Sequence, residues 1–192
     1  MRQNSRITAG VVLLDRNHLE IPNGFIVKEP WITMTGIVVR GYRVASGPSE
    51  DYPYGALDRQ RPIFKARGFD LSDYFNGTLN IDIRPATFKL MKPEHTFYNV
   101  EWTDLHPPEH FSFSRCKVIF KDVEYDGWIY YPHPETKIRN FQNPSLLEVI
   151  AKPIPGIKYG DKAEVLVNSN EMAVEKNPET PGHEGTQRKK PW

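Results

Sequence analysis

Short stretches in which apolar and polar residues alternate recur along this chain, and they predict a mainly β fold. The clearest stretch is residues 78–83, where Leu and Ile occupy every second position and Thr78, Asn80 and Asp82 lie between them. Successive side chains of a strand point to opposite faces. One face of this strand is therefore aliphatic and suited to burial, while the other presents a row of polar side chains.

The rest of the chain is predicted to consist of short strands with one helix. Residues 41–55, rich in Gly and Pro, are predicted to form a long loop, and Asp126-Gly127 is predicted to form the turn of a β-hairpin. The predicted strands cover residues 31–44, 78–83, 97–102, 111–124 (with a break near Arg115-Cys116), 128–131, 146–151 and 162–167, and the helix covers residues 57–67. Residues 1–30 are interpreted as an N-terminal extension, and the polar residues 169–192 as a disordered tail.

Composition narrows the function classes. Among 192 residues, 25 Lys and Arg oppose 24 Asp and Glu, which leaves a net charge of +1 and favours neither nucleic acid nor a membrane surface as partner. The single cysteine, Cys116, excludes an internal disulfide. No apolar run approaches the roughly 20 residues of a membrane span. These features predict a protein of the cytoplasm.

The polar row of residues 78–82 is the first candidate site. A hydroxyl, a carboxamide and a carboxylate that follow one another beside Gly77 suit a hard cation such as Mg²⁺, or the polar end of a ligand. The same pattern also fits an ordinary half-exposed strand. The other motifs of the chain bear on this choice.

Three motifs follow one another in a fixed order: G-T-L-N at residues 77–80, L-E-V-I-A at residues 147–151, and Gly160-Asp161. This order resembles the archaeal CTP-dependent riboflavin kinase family. The resemblance implies a cradle-loop β-barrel, small and closed or nearly closed, over residues 31–168. It also implies that Thr78 and Asn80 bind the Mg²⁺ that accompanies the nucleotide phosphates, and that a phosphoryl group passes from CTP to riboflavin or a similar hydroxylated acceptor.

Phosphoryl transfer requires a group that receives the proton of the acceptor hydroxyl. Asp82 and Glu148 are the two catalytic candidates for that role. Arg43 can clamp a phosphate through its guanidinium group, and backbone amides near glycine can approach the phosphates closely. The candidate nucleotide-binding residues are Arg43, Ser46, Gly47 and Gly77.

Residues 130–137, Tyr-Tyr-Pro-His-Pro-Glu-Thr-Lys, form a second unusual segment. Two prolines restrict its backbone, which lowers the cost of ordering it around a ligand. The candidate acceptor-binding residues here are Tyr131, His133 and Thr136. The same segment also fits a stiff connection between strands whose aromatic residues belong to the core.

The first loop departs from the family pattern. Residues 41–47 read G-Y-R-V-A-S-G, whereas the family has a G-x-G-E-G-x-Y-F-like run that approaches the nucleotide. This difference favours an alternative function, a barrel that binds a nucleotide or metabolite without catalysis. A third possibility is a structural or protein-interaction domain, in which the row from Thr78 to Asp82 is plain surface.

Overall fold

A computed structural model of the chain describes residues 30–41, 55–137 and 143–176, together with the backbone of three short strands between residues 12 and 28. In chain order its elements are β1 (Val12–Asp15), β2 (His18–Ile21), β3 (Phe25–Lys28), β4 (Trp31–Val39), α1 (Ala56–Ala66), β5 (Leu79–Asp82), β6 (Ala86–Leu90), β7 (His95–Val100), β8 (Glu109–Phe120), β9 (Val123–Pro132), β10 (Leu146–Ala151), β11 (Lys162–Asn168) and β12 (Met172–Lys176). The predicted mainly β fold is confirmed.

Six antiparallel strands close into a barrel in the order β11-β4-β5-β10-β9-β8, and β8 pairs with β11 to complete the circle. Closure pairs the strand edges that an open sheet would leave exposed. Strand β7 adds to the outside of the circle by pairing with the first part of β8, whose later part pairs with β11. The small closed barrel that the sequence predicts is therefore confirmed, while β1, β2 and β3 form a sheet of their own.

The interior of the barrel is filled by alternate residues of its strands. Ile81 and Ile83 are almost completely buried there, so the aliphatic face predicted for residues 78–83 is confirmed. A separate two-stranded antiparallel sheet of β6 and β12 adds Phe88 and Met172 to the same core. Because side chains alternate along a strand, Asn80 points to the outer surface of the barrel.

A second core joins helix α1 to the outer surface of the barrel. Phe64 is fully buried, and its ring lies 5.1 Å from that of Phe97, 5.6 Å from that of Phe111 and 5.0 Å from that of Phe113. The predicted helix is confirmed, and Pro62, which is exposed, does not interrupt it. The other large apolar residues of this core are Leu57, Phe69, Leu71, Trp102, Tyr130 and Ile150. The helix thus covers part of the outer surface.

The predicted hairpin turn at Asp126-Gly127 is wrong. Strands β8 and β9 are joined at Lys121 and Asp122, whose φ values are 51° and 61°, and Gly127 lies within β9 opposite Cys116. A Cβ atom on Gly127 would lie 3.2 Å from Cys116 Sγ and 3.2 Å from a Val149 methyl group. Glycine is placed here for close packing inside the barrel wall. The break predicted near residue 115 is also absent, because β8 is continuous.

The tail predicted from residue 169 contains a strand. Residues 172–176 form β12, which pairs with β6 at residues 86–90, a stretch that lies outside the predicted strands. Met172 is fully buried, and Glu171 accepts a 2.8 Å hydrogen bond from the Arg115 backbone N–H and a 2.8 Å hydrogen bond from Asn168 Nδ2. The order of this segment therefore comes from contacts with distant strands. Residues 177–192 lie outside the described residues.

Candidate functional site

The central feature of the candidate site is a pair of polar residues on the outer surface of the barrel. Strands β5 and β10 run antiparallel, and Asn80 lies directly opposite Glu148. Side chains of directly opposed residues share a face, with Cβ atoms about 4.5–5.5 Å apart. Ile81 and Leu147, their neighbours, point into the barrel core. Two residues that are distant in the sequence are therefore side by side.

The first loop begins against the Asn80 side chain. Strand β4 ends at Val39, which pairs with Asn80 on the other edge of β5, and Gly41 follows two residues later. A Cβ atom on Gly41 would lie 2.4 Å from Asn80 Nδ2 and 2.7 Å from its Oδ1, so a larger residue here would displace the Asn80 carboxamide. The loop therefore leaves the sheet beside the Asn80–Glu148 pair. The predicted phosphate contacts Arg43, Ser46 and Gly47 lie outside the described residues.

Glu148 is the carboxylate best placed to take up a proton. Burial raises its pKa, and the nearby Lys137 ammonium opposes that rise. Tyr130 of β9 is buried close by and donates a 2.9 Å hydrogen bond to Gln60 Oε1 of α1. The pKa of Tyr130 lies well above its usual value, chiefly because of burial and then because of the Glu148 charge. A carboxylate of raised pKa is a stronger base, as general-base catalysis requires.

Asp82, the other predicted catalytic carboxylate, is engaged elsewhere. It lies opposite Leu146. Its carboxylate accepts hydrogen bonds from the Arg84 backbone N–H at 3.0 Å and from Arg84 Nε at 2.9 and 2.8 Å. These hydrogen bonds lower the pKa of Asp82. A lower pKa makes Asp82 a weaker base than Glu148, which is also the carboxylate opposite Asn80.

The metal candidates Thr78 and Asn80 lie at the start of β5. Asn80 Nδ2 points to the Thr78 carbonyl oxygen at 3.4 Å. Gly77 is buried, and its backbone N–H donates to the Phe75 carbonyl at 3.0 Å, so this amide serves the turn. The two side chains, those of Thr78 and Asn80, offer a hydroxyl and a carboxamide oxygen. This all-oxygen set fits Mg²⁺, which takes its remaining ligands from phosphates and water.

No known protein family matches this chain. No curated protein matches it significantly either. In the described ranges no helix is long and apolar enough to cross a membrane, and no group of three or more His, Cys, Asp or Glu side chains is arranged to hold a metal ion. The case for a function therefore depends on the geometry of the barrel surface and on the motifs that it brings together.

The predicted acceptor residues lie away from the Asn80–Glu148 pair. Tyr131 points to the opposite face of β9 from Tyr130, and its ring meets that of Phe88 in the barrel core at 6.1 Å. Thr136 Oγ1 accepts a 2.9 Å hydrogen bond from the His110 backbone N–H. Within the segment 130–137, the residues that come near Glu148 are Tyr130 and Lys137, neither of which was an acceptor candidate. The structure therefore supports the alternative interpretation of this segment as a stiff connection.

His133, the third acceptor candidate, belongs to a hydrogen-bonded chain that the sequence did not predict. Its Nε2 lies 2.7 Å from Ser112 Oγ, and its Nδ1 lies 2.9 Å from Glu135 Oε1. The order Ser-His-Glu occurs in enzymes of acyl transfer. Here, however, Ser112 is fully buried, whereas the Glu135 side chain is 64% exposed. A nucleophile must reach its substrate, so this chain is a structural connection between β8 and the segment after β9.

We predict that Glu148→Gln raises the melting temperature at neutral pH and that this gain shrinks in acid. Burial places the folded-state pKa of Glu148 above the unfolded value of about 4.3. The stabilising contribution of its protonated form is complete below the unfolded pKa and is lost as the pH rises through the folded pKa. Gln mimics the protonated form at every pH. Melting curves from about pH 4 to about pH 8 measure the difference.

The control for this pH series is Glu164→Gln, since Glu164 is an exposed carboxylate of β11. Its melting temperature should follow that of the wild type across the whole range. A gain from Glu148→Gln that is constant with pH, or that grows towards acid, contradicts the raised pKa of Glu148.

Proposed function

We propose that the protein transfers a phosphoryl group from a Mg²⁺-bound nucleoside triphosphate to a small hydroxylated acceptor. By resemblance of the motifs at residues 77–80 and 147–151, the donor is CTP and the acceptor is riboflavin or a similar compound. One observation carries the proposal. Asn80 and Glu148, one from each motif, lie directly opposite each other on the barrel surface, and Gly41 starts the first loop against Asn80.

The residues on this surface have separate roles in the proposed reaction. The oxygens of Thr78 and Asn80 would hold the Mg²⁺ ion, which would supply positive charge to neutralise the phosphates. The carboxylate of Glu148 accepts the proton of the acceptor hydroxyl as that oxygen attacks the γ-phosphorus. A new P–O bond forms to the acceptor, and the bond from the γ-phosphorus to the bridging oxygen breaks. The nucleoside diphosphate then leaves with the electron pair of that bond.

Helix α1 supports this arrangement by covering the neighbouring part of the barrel. Gln60 is almost fully buried and holds the Tyr130 hydroxyl next to Glu148. Glu148 is half-buried, and its partial desolvation raises its pKa, which favours proton transfer from a bound alcohol. The non-catalytic alternative uses the same surface to bind a nucleotide, and it differs in the absence of product.

A thermal-shift experiment tests the ligand site. The protein is melted with CTP, ATP or riboflavin, each with and without Mg²⁺. A ligand at 100 times its dissociation constant stabilises the folded state by about 2.7 kcal/mol. We expect this stabilisation from a nucleotide only when Mg²⁺ is present, and we expect Asn80→Ala to abolish it because the variant lacks the carboxamide oxygen.

The matched control is Asn170→Ala, because Asn170 is exposed and lies in the turn before β12. It should retain the full Mg²⁺-dependent shift. If no triphosphate stabilises the wild type, or if Asn80→Ala retains the shift, the proposed nucleotide site is wrong.

A further inference from the structure

The turn between α1 and β5 is held in place by many hydrogen bonds. The Phe75 backbone N–H donates to the Ala151 carbonyl at 2.8 Å, and the Tyr74 N–H donates to the Leu71 carbonyl at 3.0 Å. The Arg61 guanidinium donates to the carbonyl oxygens of Leu71 and Tyr74. The next residue of the turn, Asn76, donates to the Asp58 carboxylate of α1. The backbone of this turn is therefore fixed against both the helix and β10.

This fixed turn presents an aromatic ring to solvent. Phe75 is 56% exposed, although the residues on either side of the turn, Leu71 and Gly77, are buried. Exposed apolar side chains are common on proteins and need no explanation when they are scattered. Phe75 differs from such scattered residues in its position, because its turn leads directly into Thr78 and Asn80 of the candidate site.

The geometry of the strands places Phe75 at one end of the candidate site. Ala151, whose carbonyl accepts the hydrogen bond from the Phe75 N–H, lies three residues beyond Glu148 along β10. At about 3.3 Å per strand residue, this separation is roughly 10 Å. A ribose or ribityl chain with its phosphate bridges a gap of this size between a flat ring and the atoms that react.

We infer that Phe75 is the stacking platform for the flat ring of the ligand bound at the Asn80–Glu148 pair. This inference rests on the proposed function and deepens it. The shared chemistry is a planar heteroaromatic ring, which either the nucleotide base or the riboflavin-like acceptor supplies. The turn already fixes the backbone of Phe75, so stacking a ligand ring on its side chain costs little conformational entropy. The contact therefore increases the affinity for the ligand and also orients it.

The test compares Phe75→Ala and Phe75→Tyr with the wild type. Riboflavin binding is measured by quenching of its fluorescence, and binding of CTP and ATP with Mg²⁺ by calorimetry. We expect Phe75→Ala to weaken one of the two ligand classes about tenfold, in line with the measured value of base stacking. Phe75→Tyr should restore the affinity. Tyr159→Ala, which removes another exposed aromatic residue, serves as the control.

The arms of the experiment separate the outcomes. Loss confined to riboflavin assigns the platform to the acceptor, and loss confined to the nucleotides assigns it to the base. Unchanged affinity for both classes in Phe75→Ala overturns the inference while leaving the proposed function intact. A fall in melting temperature together with equal loss of both classes also overturns it, because the ring then serves the fold. If the wild type binds neither class, the proposed function fails, and the inference fails with it.

Discussion

Glu148→Gln is expected to lower kcat for phosphoryl transfer by about 100- to 10,000-fold, the usual contribution of a general base. The substitution conserves shape, but the carboxamide cannot accept the proton of the acceptor hydroxyl. Nucleotide affinity should remain nearly unchanged, since the phosphates are oriented by Thr78 and Asn80. Steady-state formation of the phosphorylated acceptor, with nucleotide binding measured in parallel, gives both quantities.

Two further variants make this prediction specific. Glu164→Gln removes an exposed carboxylate of β11 and should leave kcat unchanged. Asp82→Asn should have a small effect, because the Asp82 carboxylate is already paired with Arg84. If Asp82→Asn causes the large loss and Glu148→Gln does not, the proton acceptor has been assigned to the wrong strand.

Phe64→Ala is expected to reduce the free energy of unfolding by about 3–5 kcal/mol, the usual cost of removing a buried Phe side chain. The ring is fully buried and contacts the rings of Phe97, Phe111 and Phe113. Removing it leaves a cavity between α1 and the barrel. Denaturant unfolding measures the loss, and the melting temperature should fall by about 2–4 °C for each kcal/mol in a chain of this size.

The control for Phe64→Ala is Val123→Ala, which truncates an apolar residue that is 50% exposed beside the β8–β9 turn. Surface substitutions of this kind usually change stability by about 0.5 kcal/mol or less. A loss of similar size from Phe64→Ala would contradict the packing of α1 on the barrel. Such a result would also argue against the position of Gln60, through which α1 contacts Tyr130 beside Glu148.

The parts of the fold that the sequence predicted correctly are those set by local pattern. Alternation identified both faces of residues 78–83, and Leu146–Ala151 was recognised as a strand from its apolar run. The prediction of a hairpin turn at Asp126-Gly127 was wrong, because it relied only on the local preference of this dipeptide for a turn. The closed barrel needs a glycine there for a different reason, since Cys116 and Val149 come close to it. That contact depends on strands far apart in the sequence.

For the candidate site too, the sequence predicted the local motifs but not the contacts between distant strands. The motif around Asn80 and the Glu148 run were visible in the sequence, but their direct opposition follows from the register of β5 and β10. In the segment 130–137, the two prolines made the stiffness of the backbone predictable. The face of β9 to which Tyr131 points depends on strand register and was not predictable. A shift of one residue turns a strand side chain to the other face. Phe75 was overlooked because exposure has no signature in the sequence.

The most direct test of the proposed function is a product assay. The protein is incubated with riboflavin, CTP and Mg²⁺, and the products are separated and identified by mass. The proposal predicts equal amounts of riboflavin phosphate and CDP, formed only with Mg²⁺ and not by Asn80→Ala. Mg²⁺-dependent binding of CTP without either product would contradict catalysis and leave a nucleotide-binding barrel.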